Sequence, residues 1–140
     1  MTGVELQAKI DLARENFARL EQIPQDSLDV FLADFRNLDS ALRRLQTTIQ
    51  TVIDIGSWII AARGLAAPET SRAVLDRLAE AGLIPPDGPD RWGPIIGFRN
   101  RIVHLYDAID PRIVYEALRE GRGELLRLFE ALLRVLEETE

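Results

Sequence analysis

Apolar residues recur at alternating three- and four-residue steps along almost all of this 140-residue chain, the spacing of one face of an α-helix. Leu6, Ile10, Ala13, Phe17 and Leu20 predict a first helix over residues 4–22. Pro24 stops it, and Asp26 or Ser27 can cap the next helix by accepting free backbone N–H groups. Leu28, Phe31, Phe35, Leu38, Leu42, Leu45, Ile49, Val52, Gly56 and Ile59 then hold a strict 3-4 alternation over residues 27–62. That stripe predicts one long second helix of roughly 35 residues, ~50 Å. Such a helix outruns the core that one chain of this size can wrap around it. Either other helices pack along all of it or a second copy of the chain does. Gly56 permits close helix approach at a stripe position, and Gly64, before Pro68, predicts a left-handed cap.

Thr70 or Ser71 caps a short third helix over residues 70–81, with Val74, Leu75 and Leu78 inward and Gly82 ending it. Pro85-Pro86-Asp87-Gly88-Pro89 reads as a rigid turn, because proline fixes φ and lacks a donor. A fourth helix follows over residues 90–108. Asp110-Pro111 separates it from a fifth over residues 111–138, whose inward positions are Tyr115, Leu118, Leu125, Phe129, Leu132 and Leu136. Gly121 and Gly123 weaken that helix near its middle. No stretch alternates with period two for long enough to make a strand. The expected fold is all-α, an up-and-down bundle of about five helices in a single domain spanning residues 1–140.

Composition narrows the chemistry. There is no Cys and one His, which excludes disulfides, thiolate catalysis, Cys-ligated zinc and multi-His metal clusters. No metal and no cofactor is expected. No apolar run approaches the ~18 residues needed to span a bilayer, and the first residues lack the apolar centre of a signal peptide. A soluble, cytoplasmic protein is expected, with no membrane contact. The net charge of −6 disfavours a general nucleic-acid coat. Its distribution is uneven, however. Of 17 basic residues one is lysine, Lys9, and the window from Arg91 to Tyr106 holds three arginines, the sole histidine and no acid.

That window contains Gly97-Phe98-Arg99-Asn100-Arg101-Ile102-Val103-His104-Leu105-Tyr106. His104 is the side chain whose ordinary pKa allows proton exchange near neutral pH. Arg99 and Arg101 are permanent cations whose planar forks match phosphate oxygens. Asn100 stands one helical turn before His104 and can hydrogen-bond its ring or a substrate oxygen. Together they supply proton transfer and phosphate clamps without a metal, enough for RNA cleavage by its own 2′-hydroxyl. On an ideal helix Asn100 and His104 fall about 40° apart, whereas Arg99 and His104 fall about 140° apart. Arg99 lies instead in the arc of Trp92, Ile95, Ile96, Ile102 and Val103. One pocket using both groups requires a wrapped arginine, a distorted helix, or a twofold axis that doubles the single His. The plainer reading makes Arg99 a structural cation paired with Asp54 or Asp107, and Tyr106 a core ring.

Arg99-x-x-x-x-His104-x-Tyr106, with polar Asn100 after the arginine, resembles the signature of the HepT family of HEPN toxins. Asp54-Ile55-Gly56-Ser57-Trp58-Ile59-Ile60-Ala61 is similar to that family's long-helix ending, and Leu78-Ala79-Glu80-Ala81-Gly82-Leu83-Ile84 to its short helix and turn. The likeness covers about residues 4–135. One departure is Leu105-Tyr106-Asp107-Ala108, which lacks a bulky residue soon after the tyrosine. The resemblance implies an all-α homodimer with Arg99 and His104 in a cleft between protomers, acting as a metal-independent endoribonuclease. Asn100, orienting His104 or the phosphate, and Arg101, binding RNA, are the expected supporting groups. The resemblance also implies, as antitoxin, an MntA-type minimal nucleotidyltransferase that silences the toxin by transferring AMP onto Tyr106. Each AMP would place a charged, bulky substrate mimic beside the arginines. Two other readings use the same residues: a non-catalytic accessory subunit presenting substrate to a nucleotidyltransferase, and a helical adaptor.

Overall fold

The computed structural model describes residues 1–105 and 108–139. Seven α-helices form: α1 (Gly3–Gln22), α2 (Leu28–Leu32), α3 (Phe35–Ala62), α4 (Ser71–Glu80), α5 (Gly88–Leu105), α6 (Pro111–Glu116) and α7 (Arg122–Thr139), with one π-helical turn, Ala117–Gly121, between the last two. No strand occurs among the described residues. The all-α bundle expected from the periodicity is the observed fold.

Local signals start and stop the helices. Thr2 begins α1 with a reciprocal capping box to Glu5, and its buried face is Leu6, Ile10, Ala13, Phe17 and Leu20 with Asn16. Ser27 caps α2, Thr70 caps α4 and Asp110 caps α6, each accepting a backbone N–H two or three residues on. Gly64 (φ 67°) and Gly82 (φ 72°) take the left-handed conformation that stops α3 and α4.

Three boundaries differ from the sequence expectation. The long second helix is two: Asp34 leaves helical geometry and accepts the backbone N–H of Arg36, which starts α3 afresh. α3 therefore has 28 residues, ~42 Å at 1.5 Å per residue, and Phe35, read as a stripe position, is 74% exposed. The rigid turn before the fourth helix is shorter than read, because Gly88 and Pro89 already belong to α5. α5 is described as far as Leu105, and Ala108, within the expected helix, is 3₁₀. The fifth helix is continuous but carries the π turn at its predicted weak point. A Cβ on Gly121 would stand 2.8 Å from Ile95 Cδ1, so the glycine lets α5 press against this segment.

α3 is the axis of the bundle. It buries Leu42, Leu45, Ile49, Val52, Ile55 and Ile59 on its stripe side, and also Thr48, Thr51, Ile53 and Ile60 around its circumference. α1, α4, α5 and α7 all pack against it. The chain's own helices thus cover α3, and its length gives no reason for a second copy. Each fully buried Leu, Ile or Phe contributes about 1.5–3 kcal/mol by transfer from water. Gly56 fixes how close α4 comes: a Cβ there would stand 2.5 Å from Val74 Cγ1. Phe17 and Phe129 close the other side with ring centroids 5.2 Å apart.

Candidate nucleic-acid site on α5

α5 is a poor helix by composition. Gly88, Gly93 and Gly97 lower its propensity, and Pro94 inside it removes one ladder hydrogen bond. Tertiary packing holds it. Trp92, Ile95, Ile96, Phe98 and Ile102 are buried, the last completely. Trp92 Nε1 donates to Glu124 Oε2 of α7 at 3.2 Å, and Arg91 Nε donates to the same oxygen at 2.6 Å. The Arg91 hydrogen bond holds the Glu124 carboxyl below its ordinary pKa, aided by the charges of Arg91 and Arg127 and opposed by burial. Arg72 of α4 reaches over Gly93, where a Cβ would collide with its guanidinium, and pairs with Asp90 at 3.2 Å.

This anchored first half carries the motif residues on the second. Arg99 is half-buried and its Nε is enclosed by protein without a hydrogen-bond acceptor among the described residues. Its Nη1 donates to Asn100 Oδ1 at a long 3.4 Å. No carboxylate pairs with it among the described residues. Asp54, one of the two structural partners considered from sequence, is taken by Lys9 at 2.7 Å and by Gln50 at 2.9 Å. Arg77 and Arg122 also enclose one unpaired nitrogen each; Arg99 differs in standing five residues from the only histidine. An enclosed, unpaired guanidinium nitrogen is costly, about 1–3 kcal/mol.

Asn100, Arg101 and His104 are exposed, and Val103 (44%) and Leu105 (49%) are exposed apolar neighbours of His104. Val103, placed in the apolar arc by the helical wheel, is therefore outside the core. The structure joins Arg99 to Asn100, whose amide oxygen accepts from the guanidinium, and His104 makes no side-chain hydrogen bond among the described residues. With ~7.5 Å of rise and about 140° of rotation between Arg99 and His104, one α5 does not close a pocket around a phosphate with both. Tyr106 and Asp107 lie outside the described residues. One groove, of about 400 Å³, opens beside the motif and is lined by Asn100 together with Ser57 of α3 and the start of α4. Sequence reading missed it, since Asn100 is its one motif residue and the other walls come from α3 and the start of α4, far away in the chain.

The fold and the motif define a class: an all-α HEPN-type bundle with an Arg-Asn-x-x-x-His segment at the end of a packed helix. A family profile described as HepT-like, ribonuclease HepT-like, matches residues 13–132, and the chain belongs to this family. It is 29% identical over 121 residues, 84% of this chain and 82% of the relative, to the tRNA nuclease HepT of Aphanizomenon flos-aquae. It is 30% identical over 111 residues, 79% of this chain and 83% of the relative, to the mRNA nuclease HepT of Shewanella oneidensis. Among solved structures it resembles a tri-AMPylated Shewanella oneidensis HEPN toxin in complex with an MNT antitoxin. The TM-score is 0.80, the identity 25%, and the match covers 96% of this chain and 99% of that one.

Proposed function

We propose that this protein is the toxin of a toxin–antitoxin pair, a metal-independent endoribonuclease of the cytoplasm that cleaves cellular RNA as a homodimer. The observation that carries the reading is the state of α5. A half-buried guanidinium whose Nε has no acceptor among the described residues and an exposed imidazole stand five residues apart, on different sides of a helix whose end shows apolar side chains to solvent. A second α5 across a twofold axis would cover Val103 and Leu105 and bring Arg99 and His104 groups to one cleft. The relatives named tRNA and mRNA nuclease support RNA as the substrate.

In that cleft His104 takes the proton of the ribose 2′-hydroxyl, or protonates the departing 5′-oxygen. The 2′-oxygen attacks phosphorus, the P–O5′ bond breaks, and the products carry a 2′,3′-cyclic phosphate and a 5′-hydroxyl. Arg99 stabilises the charge that builds on the pentacoordinate phosphate, the larger part of the catalysis. Asn100 holds the guanidinium, and Arg101 contacts RNA further along. The partner is an MntA-type nucleotidyltransferase that transfers AMP onto Tyr106; the tri-AMPylated HEPN toxin bound to its MNT antitoxin supports this.

The test is cleavage of total RNA by the purified protein in EDTA. Arg99→Ala and His104→Ala should each lower the rate by about 100-fold or more and relieve growth arrest in cells lacking the partner. RNA 2′-O-methylated at the cut should resist. Undiminished cleavage by the folded variants overturns the assignment. A wild-type protein that cuts nothing yet is still AMPylated leaves the accessory-subunit reading in its place.

A further inference from the structure

The groove beside Asn100 has features of its own. Ile53 of α3 (8% exposed) and Val74 of α4 (4%) form buried apolar walls, and Pro68 adds a third. The polar lining comes from Ser57, Glu69 and Ser71. Thr70 Oγ1 is already occupied by the backbone N–H of Ala73, at 3.1 Å. Ser57, Ser71 and the Glu69 carboxylate, by contrast, make no side-chain hydrogen bond among the described residues. At its α5 end the groove meets Asn100, whose Oδ1 accepts from Arg99. A phosphate held at Arg99 would therefore leave its adjoining nucleoside next to this groove.

Glu69 decides what can enter. A carboxylate beside the opening repels a second phosphate and offers acceptors alone. Apolar walls with a two-oxygen acceptor suit the flat face and donor edge of a base. Guanine is the common RNA base whose pairing edge presents two adjacent donors, N1–H and N2–H, to both oxygens of one carboxylate. Ser57 and Ser71 hydroxyls can donate to its O6 and N7. We infer that the groove between α3, the start of α4 and Asn100 is a guanine subsite that positions RNA beside Arg99. Its ligand being RNA rests on the proposed ribonuclease function.

The probe is a set of four labelled, fully 2′-O-methylated hexanucleotides, oligouridine with one central position set to A, C, G or U. Binding to the full-length protein is read by fluorescence anisotropy. The G-containing strand should bind about 10-fold more tightly than the others, the discrimination expected of a bidentate contact. Glu69→Gln should reduce the preference to under about 3-fold, while Glu80→Gln, the same charge change at the far end of α4, should keep it. Equal binding of the four strands, a preference for another base, a preference that survives Glu69→Gln, or no binding at all overturns the subsite. Unmodified RNA separates the two inferences. Cleavage without any guanine preference removes the subsite alone, and Glu69-dependent guanine binding without cleavage removes the nuclease alone.

Discussion

The two halves of α5 are built on opposite terms. Residues 88–96 are locked on three sides: Trp92 and Arg91 share the Glu124 carboxylate, Arg72 spans Gly93, and Ile95 presses on Gly121. Residues 99–105 make one long side-chain hydrogen bond among the described residues, Arg99 to Asn100, and expose Val103, His104 and Leu105. The side-chain ties to other helices sit in the half that carries none of the proposed chemistry, and Ile102 is the buried anchor of the other. The proposed chemistry sits in the half where Arg99 Nε has no acceptor among the described residues, as expected where binding a ligand or a second protomer completes a site.

The sharpest way to break this contrast is to unpack the first half. Trp92→Ala should lower the unfolding free energy by about 3–5 kcal/mol, against less than about 0.5 kcal/mol for Leu105→Ala, both read from urea unfolding. Similar losses for the two would show that Leu105 is packed as firmly as Trp92. Next, Val103→Glu with Leu105→Glu places charge where the second protomer is proposed to sit. The pair should give a monomer by light scattering, with normal helicity and RNA cleavage reduced roughly 100-fold through lost positioning. A dimer that stays intact and active would move the interface elsewhere.

The smallest effect concerns acid. Glu124 is held below its ordinary value of 4.5 by its hydrogen bond from Arg91. The folded state therefore binds fewer protons than the unfolded chain as pH falls past that value. Stability from this carboxylate is present above about pH 4.5 and drains away as pH falls through the lowered folded pKa. Glu124→Gln should be less stable than the parent at neutral pH and should lose less on acidification. Parallel pH profiles for the two would remove the Arg91–Glu124 tie from the account of how α5 is anchored.

Much of this arrangement was legible beforehand. The caps at Ser27 and Thr70, each one of two candidates, and the glycine stops at 64 and 82 were readable because each depends on a few neighbouring residues. The break at Asp34 was not. Leu28, Phe31, Phe35 and Leu38 keep helical spacing across it, and a spacing rule does not register one residue whose carboxylate captures the next helix's free N–H. Arg99, Asn100 and His104 were recognisable as a group. That Asn100 would face Arg99 and not His104 was not recognisable, since the helical wheel pairs Asn100 with His104 and does not register a long guanidinium folding back onto its neighbour.

What the chain alone determined is the all-α class, most of its buried positions and the chemical inventory of one imidazole amid arginines, because periodicity and residue type are local properties. Only the tertiary structure decided that α3 is covered by its own chain, that Asp54 belongs to Lys9 and leaves Arg99 without that partner, and that Ser57, Glu69 and Asn100 share a groove. Those facts depend on which distant segments compete for the same space and the same charge, and that competition is settled when the helices pack.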